Sequence, residues 1–436
     1  LLRRPLTDNV KVSMLSPDPT SNRKKIWIGL TALALLIGAG LGRVALATGA
    51  SPDDSSNSES AIVISTPAPA PTCARADDVT PPGASLEELL SSAAYDTESG
   101  GYVAHLSDGT QPKLTLLPTL QESAERILAT YKPPLGELVA LDPATGRILA
   151  WARTTTATPQ LEAAPDGPSG DAFPAASVFK LVTASALLER GVTPDEEVCY
   201  HGGKHRIQEK QLADDDARDF RCVSLSQAIA RSANVAIAKL ADRDLDPVWL
   251  RTWADRLLFN HPLPTSLALA ISTAQIPDDR FDFANTAAGF GNVTLTPLHG
   301  ASLAGAIGHD GVLVSPHLSE DGTLPPSQQL LPQEMARQLS EMMTMTVREG
   351  TAHKAFRSRA ARALDAAGKT GSLAAHTPYR DYSWFVGFAP ALSPRIAVAA
   401  IVVNDQHWRV HASQLASSVL QSYLTPPKAH QLTAAK

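Results

Sequence analysis

The 436-residue chain is 44% hydrophobic and 19% charged, a balance that supports a sizeable buried core and excludes a wholly disordered polypeptide. Its 38 basic and 44 acidic side chains leave a formal charge of -6 with no long basic run, so no nucleic-acid partner is expected. The length favours a tail followed by one large domain over three compact ones.

Arg23, Lys24 and Lys25 precede an apolar run that opens with Ile26-Trp27-Ile28-Gly29-Leu30 and is closed by Arg43. A run of about 17 apolar residues is at the short end for a membrane span and long for the core of a signal peptide. It is read as a cytoplasmic tail at 1–25 and a membrane anchor at 26–42, with the basic flank inside and the rest of the chain exported. Cleavage is the alternative, since Ala45-Leu46-Ala47 has the small-x-small form of a signal-peptidase site. Residues 43–83 are rich in Pro and Ser, including Thr66-Pro67-Ala68-Pro69-Ala70-Pro71, and read as an extended spacer. Cys73 lies in it without the small residues of a lipoprotein box, which leaves a free thiol or an intermolecular bridge.

A single domain is expected over 84–427, its core from about 113, with a short tail at 428–436. After a helical 86–90, a hairpin pairs 102–106 with 114–116 across Asp108-Gly109. A helix starts near Pro118 and turns Leu120, Ala124, Ile127, Leu128 and Tyr131 to one face. Strands at 136–141 and 147–152 flank the turn Asp142-Pro143-Ala144-Thr145-Gly146. Near the carboxyl end, strands at 383–389 and 395–403 precede a closing helix at 414–424, and helices occupy the middle. Strand pairs at both ends with helices between them predict an α+β fold, an antiparallel sheet flanked by helices with a helical lobe inserted.

Three short motifs carry candidate chemistry. In Ser177-Val178-Phe179-Lys180 the spacing of three places the lysine amine one turn from the serine hydroxyl, at the start of a helix that Gly191 ends. Serine is a weak nucleophile, and lysine activates it only where burial or neighbouring cations keep the amine neutral. Alone, the pattern is weak and more simply describes a capping serine followed by a solvated lysine. Ser232-Ala233-Asn234 sits at a bend between two helical runs, where a hydroxyl can relay a proton and an amide can bind substrate or hold the lysine. Gly368-Lys369-Thr370-Gly371-Ser372 leads into the last strand pair; its small residues let a substrate backbone approach a strand edge, and Lys369 is expected to attract a carboxylate.

Taken in this order, the three resemble the Ser-x-x-Lys, Ser-x-Asn and Lys-Thr-Gly set of penicillin-binding proteins and serine β-lactamases. The resemblance continues in the stretches around Leu114-Thr115-Leu116, Leu141-Asp142-Pro143, Thr296-Pro297-Leu298, Val347-Arg348-Glu349-Gly350-Thr351-Ala352 and Trp384-Phe385-Val386-Gly387-Phe388-Ala389-Pro390. Ser372 stands where these transpeptidases usually have threonine. The resemblance implies a membrane-held D,D-transpeptidase acting outside the cytoplasm on peptidoglycan stem peptides, without a cofactor or metal, and acylated by β-lactam antibiotics. It implies Ser177 as nucleophile, Lys180 as base, Ser232 and Lys369 as proton carriers, and Asn234, Thr370, Gly371 and Ser372 as substrate contacts. Backbone N–H groups of Ser177 and Ser372 would hold the oxyanion. No glycan-polymerising domain fits before Leu114, which implies a separate glycan polymerase as partner.

D,D-carboxypeptidase action, a serine β-lactamase and a non-catalytic penicillin sensor or scaffold are the alternatives. The β-lactamase is disfavoured because no Glu-x-x-Leu-Asn stretch lies between Asn234 and Lys369. Cys199 and Cys222 are read as a disulfide beside the site, the exported compartment being oxidising. A zinc site that adds His201 and His205 is the lesser reading. On the disulfide reading these histidines, like the run Asp214-Asp215-Asp216, are solvated.

Overall fold

The computed structural model describes residues 85–155, 172–203, 206–376, 379–406 and 408–425. The expected anchor at 26–42, the spacer, Cys73 and His205 lie outside them. Among the described residues no helix is long and apolar enough to cross a membrane.

Helix α1 (Leu86–Ser91), capped by the Ser85 hydroxyl, leads into β1 (Ala93–Asp96), β2 (Gly101–Ala104) and β3 (Lys113–Leu114), a small antiparallel sheet. The 102–114 hairpin is as expected, but β1 adds a strand that alternation did not signal. Helix α2 (Pro118–Tyr131) follows. Its buried face includes Gln121, whereas Tyr131 is exposed. The reason is the open edge of strand β5: the Gln121 amide accepts from Trp151 N at 2.8 Å and donates to Trp151 O at 2.9 Å, satisfying backbone groups that no strand pairs.

Strands β4 (Leu135–Leu141) and β5 (Ile148–Thr155) come from the front of the chain. The middle contributes β6 (Phe173–Pro174), α3 (Lys180–Glu189), the hairpin β7 (Glu197–Tyr200) and β8 (Arg221–Ser224), α4 (Leu225–Ala230), α5 (Asn234–Asp244), α6 (Pro247–Arg256) and α7 (Arg280–Ala287). Next come β9 (Thr294–Leu295), α8 (Pro297–Gly308), the short pair β10 (Val312–Leu313) and β11 (Gln328–Gln329), α9 (Gln333–Arg348), α10 (His353–Phe356) and α11 (Arg359–Arg362). Strands β12 (Ala367–His376), β13 (Tyr379–Ala389) and β14 (Ile396–Asn404) and helix α12 (Ala412–Leu424) close the domain.

The main sheet runs β12-β13-β14-β4-β5, antiparallel throughout, so strands from the early and late parts of the described domain do meet in one sheet. Every residue of β14 and all but the first of β13 are buried, because helices cover both faces; such strands read as apolar runs without alternation. One core cluster includes Val139, Trp384, Val386, Ala399 and the apolar residues of α3 and α5. The other joins Leu138, Phe385, Val398 and Ala400 to α2 and α12. Full burial of each large aliphatic side chain contributes about 1.5–3 kcal/mol, which makes the sheet a rigid base for whatever its edge carries. That edge is β12.

Candidate active site

Ser177 lies in one turn of 3-10 helix, Ala176–Phe179, and the α-helix begins only at Lys180. The expected helix start is thus a 3-10 turn that runs into the α-helix, and Ala176 enters it at a left-handed φ of 47°. Gly289 explains how this turn is held. Its φ is +89°, and a Cβ there would fall 2.4 Å from Ala176 O and 3.0 Å from Ser177 Cα, so backbone packs directly on the nucleophile's own backbone. From the other side, a Cβ on Gly371 would meet Val178 Cγ2 at 3.2 Å and Ala175 O at 3.3 Å. Strand β12 therefore passes in contact with the Ser177 turn, and Trp384 Nε1 donates to Pro174 O at 2.9 Å to fasten the strand behind it to the same segment. We expect Gly289→Ala to destabilise the fold by about 2 kcal/mol or more, from the left-handed φ and the backbone overlap together. Thermal melting and the acylation rate at Ser177 read the two consequences.

Ser232 sits at a φ of 54° between α4 and α5, with Asn234 as the first residue of α5. Gly350 approaches this bend so closely that a Cβ would lie 2.2 Å from Ala230 O. The motifs converge on one buried amine. Lys180 is 0% exposed, and its Nζ lies 2.8 Å from Ser177 Oγ, 3.1 Å from Ser232 Oγ and 2.6 Å from Asn234 Oδ1. Lys369, also 0% exposed, donates to Ser232 Oγ at 3.1 Å and to Thr370 O at 2.8 Å. Ser232 Oγ thereby bridges two lysine amines.

Burial drives Lys180 well below the ordinary lysine range, and the neighbouring Lys369 cation pushes it further in the same direction. Burial alone brings Lys369 down to about 7. Both amines thus have accessible neutral forms, the condition that the serine–lysine pairing needs. Lys369 is expected from the sequence to attract a carboxylate, but its amine is buried and donates to the Ser232 hydroxyl and the Thr370 carbonyl. Thr370 is half-buried and Ser372 exposed, both on the edge strand. Gly289, Gly350 and Thr351 belong to the site as well. Gly350 and Thr351 fall in a stretch that carries the resemblance, but glycine and threonine have no chemical signature of their own, and it is their contacts that bring them to the site.

Cys199 and Cys222 face each other across β7 and β8 and are bonded as a disulfide, which leaves no thiolate for zinc. Among the described residues no cluster of His, Cys, Asp and Glu could hold a metal. His201 is not simply solvated. Its Nδ1 lies 2.5 Å from Asp219 Oδ1, and Asp219 also takes Lys239 Nζ at 2.7 Å, with Asp214 joining that amine at 2.8 Å. Two members of the acidic run are likewise engaged, Asp214 with Lys239 and Asp215 with Arg218. The amine and His201 hold Asp219 at about 2 against its burial. Since Lys239 stands on α5, this cluster ties His201, Asp214 and Asp219 to the helix that starts with Asn234.

An antiparallel sheet with a helical lobe, and a serine, two buried lysines and an Asn-bearing bend meeting at its edge strand, define a serine acyltransferase of the penicillin-recognising class. The chain belongs to the penicillin-binding protein transpeptidase domain family, whose pattern matches residues 136–422. It is 28% identical over 343 residues to the peptidoglycan D,D-transpeptidase PbpA of Mycobacterium tuberculosis, a match that spans 66% of this chain and 66% of that protein. The crystal structure of PBPA from M. tuberculosis superposes with a TM-score of 0.58 at 26% identity, covering 71% of this chain and 81% of the other. An imipenem acyl-enzyme complex of penicillin-binding protein A from the same organism gives 0.57, also at 26% identity, covering 71% and 79%.

Proposed function

We infer that the protein is a peptidoglycan D,D-transpeptidase that crosslinks stem peptides through a Ser177 acyl-enzyme and is inhibited covalently by penicillins. The observation that carries this is the Lys180 amine, buried, depressed in pKa and 2.8 Å from Ser177 Oγ. Ser177 Oγ attacks the penultimate D-Ala carbonyl while Lys180 takes its proton. The oxyanion forms between the N–H groups of Ser177 and Ser372. In support, Thr370 O takes the Lys369 amine that also reaches Ser232, and main-chain groups two residues apart on a strand face the same side. As the peptide bond breaks, Ser232 and Lys369 return the proton to the leaving D-Ala amine. A neighbouring stem-peptide amine then attacks the ester, forms the new amide and restores the Ser177 hydroxyl. Water in its place gives D,D-carboxypeptidase trimming. Thr370 and Ser372 hold the terminal carboxylate, and Gly371 keeps the strand narrow where the substrate backbone lies.

An anchor at 26–42 would hold the domain on the outer side of the cytoplasmic membrane, where a separate glycan polymerase supplies its strands. The test is labelling with fluorescent penicillin followed over time, with Ser177→Ala as the control, together with crosslinking of pentapeptide-bearing glycan. A long-lived adduct that needs Ser177, and crosslinked product, are expected. Rapid release of hydrolysed drug would identify a β-lactamase; no labelling of folded protein would identify a scaffold or sensor that does not react.

A further inference from the structure

Between the Ser232 bend and strand β12 stands Thr351, which has no part in the serine–lysine chemistry. Its N–H donates to Ala230 O at 3.1 Å, two residues before Ser232, and Gly350 packs so close to the same carbonyl that a Cβ there would lie 2.2 Å from it. Its hydroxyl, on an exposed residue, lies 2.5 Å from the Thr370 hydroxyl, and either oxygen can be the donor. A rival acceptor for the Thr351 proton, Ala230 O, is 3.5 Å away and already takes the Thr351 N–H.

A hydroxyl has one proton and two lone pairs. If Thr370 donates to Thr351, it turns lone pairs towards the cleft and repels a carboxylate. If Thr351 donates to Thr370, the Thr370 proton is free to reach the substrate. A bound anion selects the second arrangement, and each bond in such a chain polarises and strengthens the next. The geometry points to Thr351 as a positioning residue that donates into Thr370 and so presents the Thr370 proton to the substrate's terminal carboxylate. Because Thr351 is tied at once to the bend before Ser232 and to the residue after Lys369, it also sets the separation of the two motifs across the cleft. The inference rests on the carboxylate-binding role given to Thr370 above.

The test crosses a change in the protein with a change in the ligand. Acylation by penicillin G and by its methyl ester, which lacks the carboxylate charge, is measured for the wild type, Thr351→Val and Thr351→Ser. A lost hydrogen bond in a chain ending on a charged group should lower the second-order constant for penicillin G acylation, which combines binding and the acylation step, by about tenfold or more in Thr351→Val. Thr351→Ser should stay within about twofold, and with the ester Thr351→Val should react like the wild type. A contact made equally before and during reaction belongs in the affinity of the non-covalent complex, so the loss should fall there and leave the acylation step unchanged. Equal losses with both ligands, loss confined to the acylation step, or failure of serine to rescue would overturn the role of Thr351. Absence of wild-type labelling at Ser177 would instead overturn the acyl-enzyme reading on which it rests.

Discussion

Lys180→Met is expected to lower the rate of penicillin acylation by about a thousandfold or more while the protein remains folded, since general-base assistance contributes typically 10²–10⁴-fold. Lys180 holds Ser177, Ser232 and Asn234 together, so a drop alone would not separate chemistry from geometry. Lys180→Arg separates them. Guanidinium keeps the charge and several donors but does not deprotonate at working pH, so an arginine that restores the network without a base should be as inactive as methionine. Acylation recovered in Lys180→Arg would mean that the lysine acts as a fixed cation and that another group takes the serine proton. The wild-type profile supplies an independent check. Lys180 must be neutral to accept a proton, and its pKa lies well below the ordinary lysine range. Acylation should therefore rise with pH through that depressed value, well below the range in which an ordinary lysine loses its proton.

Much of this site is legible in the sequence because its chemistry is concentrated in residue types with fixed spacing. Ser177 and Lys180 need to be one turn apart, and Lys369 needs small neighbours on a strand edge; both requirements leave marks in a linear pattern. The sheet is legible for a similar reason, as the paired apolar runs 136–141 with 147–152 and 383–389 with 395–403 fall within the observed strands, give or take a residue at their ends. What stays hidden depends on contacts between distant segments. Gln121 is polar and reads as solvent-facing until β5 proves to be an edge strand that needs its amide. Gly289 reads as an ordinary loop residue until the Ser177 turn is laid on it. His201 and the run at 214–216 suggest solvated charge because nothing local announces Lys239, a residue of a buried helix face that pairs with Asp214 and Asp219. The inward direction of the Lys369 amine is hidden likewise, because it is set by where Ser232 stands, more than a hundred residues earlier in the chain.

That burial has a consequence for stability, and Lys369→Met should expose it by making the protein more stable and nearly inactive. The folded state holds Lys369 at about 7 against an ordinary value of 10.5, so between these values the unfolded chain binds a proton that the folded chain does not. Stability of the wild type therefore rises with pH across that window, and the penalty for the buried amine is fully present below about pH 7. Its size at neutral pH is on the order of 5 kcal/mol, an upper bound from which the lost bonds to Ser232 Oγ and Thr370 O subtract. Methionine carries no charge to bury. Denaturant unfolding should find Lys369→Met ahead of the wild type by a few kcal/mol near pH 6.5, with the advantage shrinking towards pH 10. Acylation should fall by about a hundredfold or more, because in the mechanism proposed above Ser232 loses the partner through which it passes a proton. Removal of the Lys369 cation also relieves Lys180, so the acid limb of whatever acylation survives should move to higher pH. A variant less stable than the wild type at both pH values, or an advantage independent of pH, would show that Lys369 is held by its hydrogen bonds more strongly than burial opposes it.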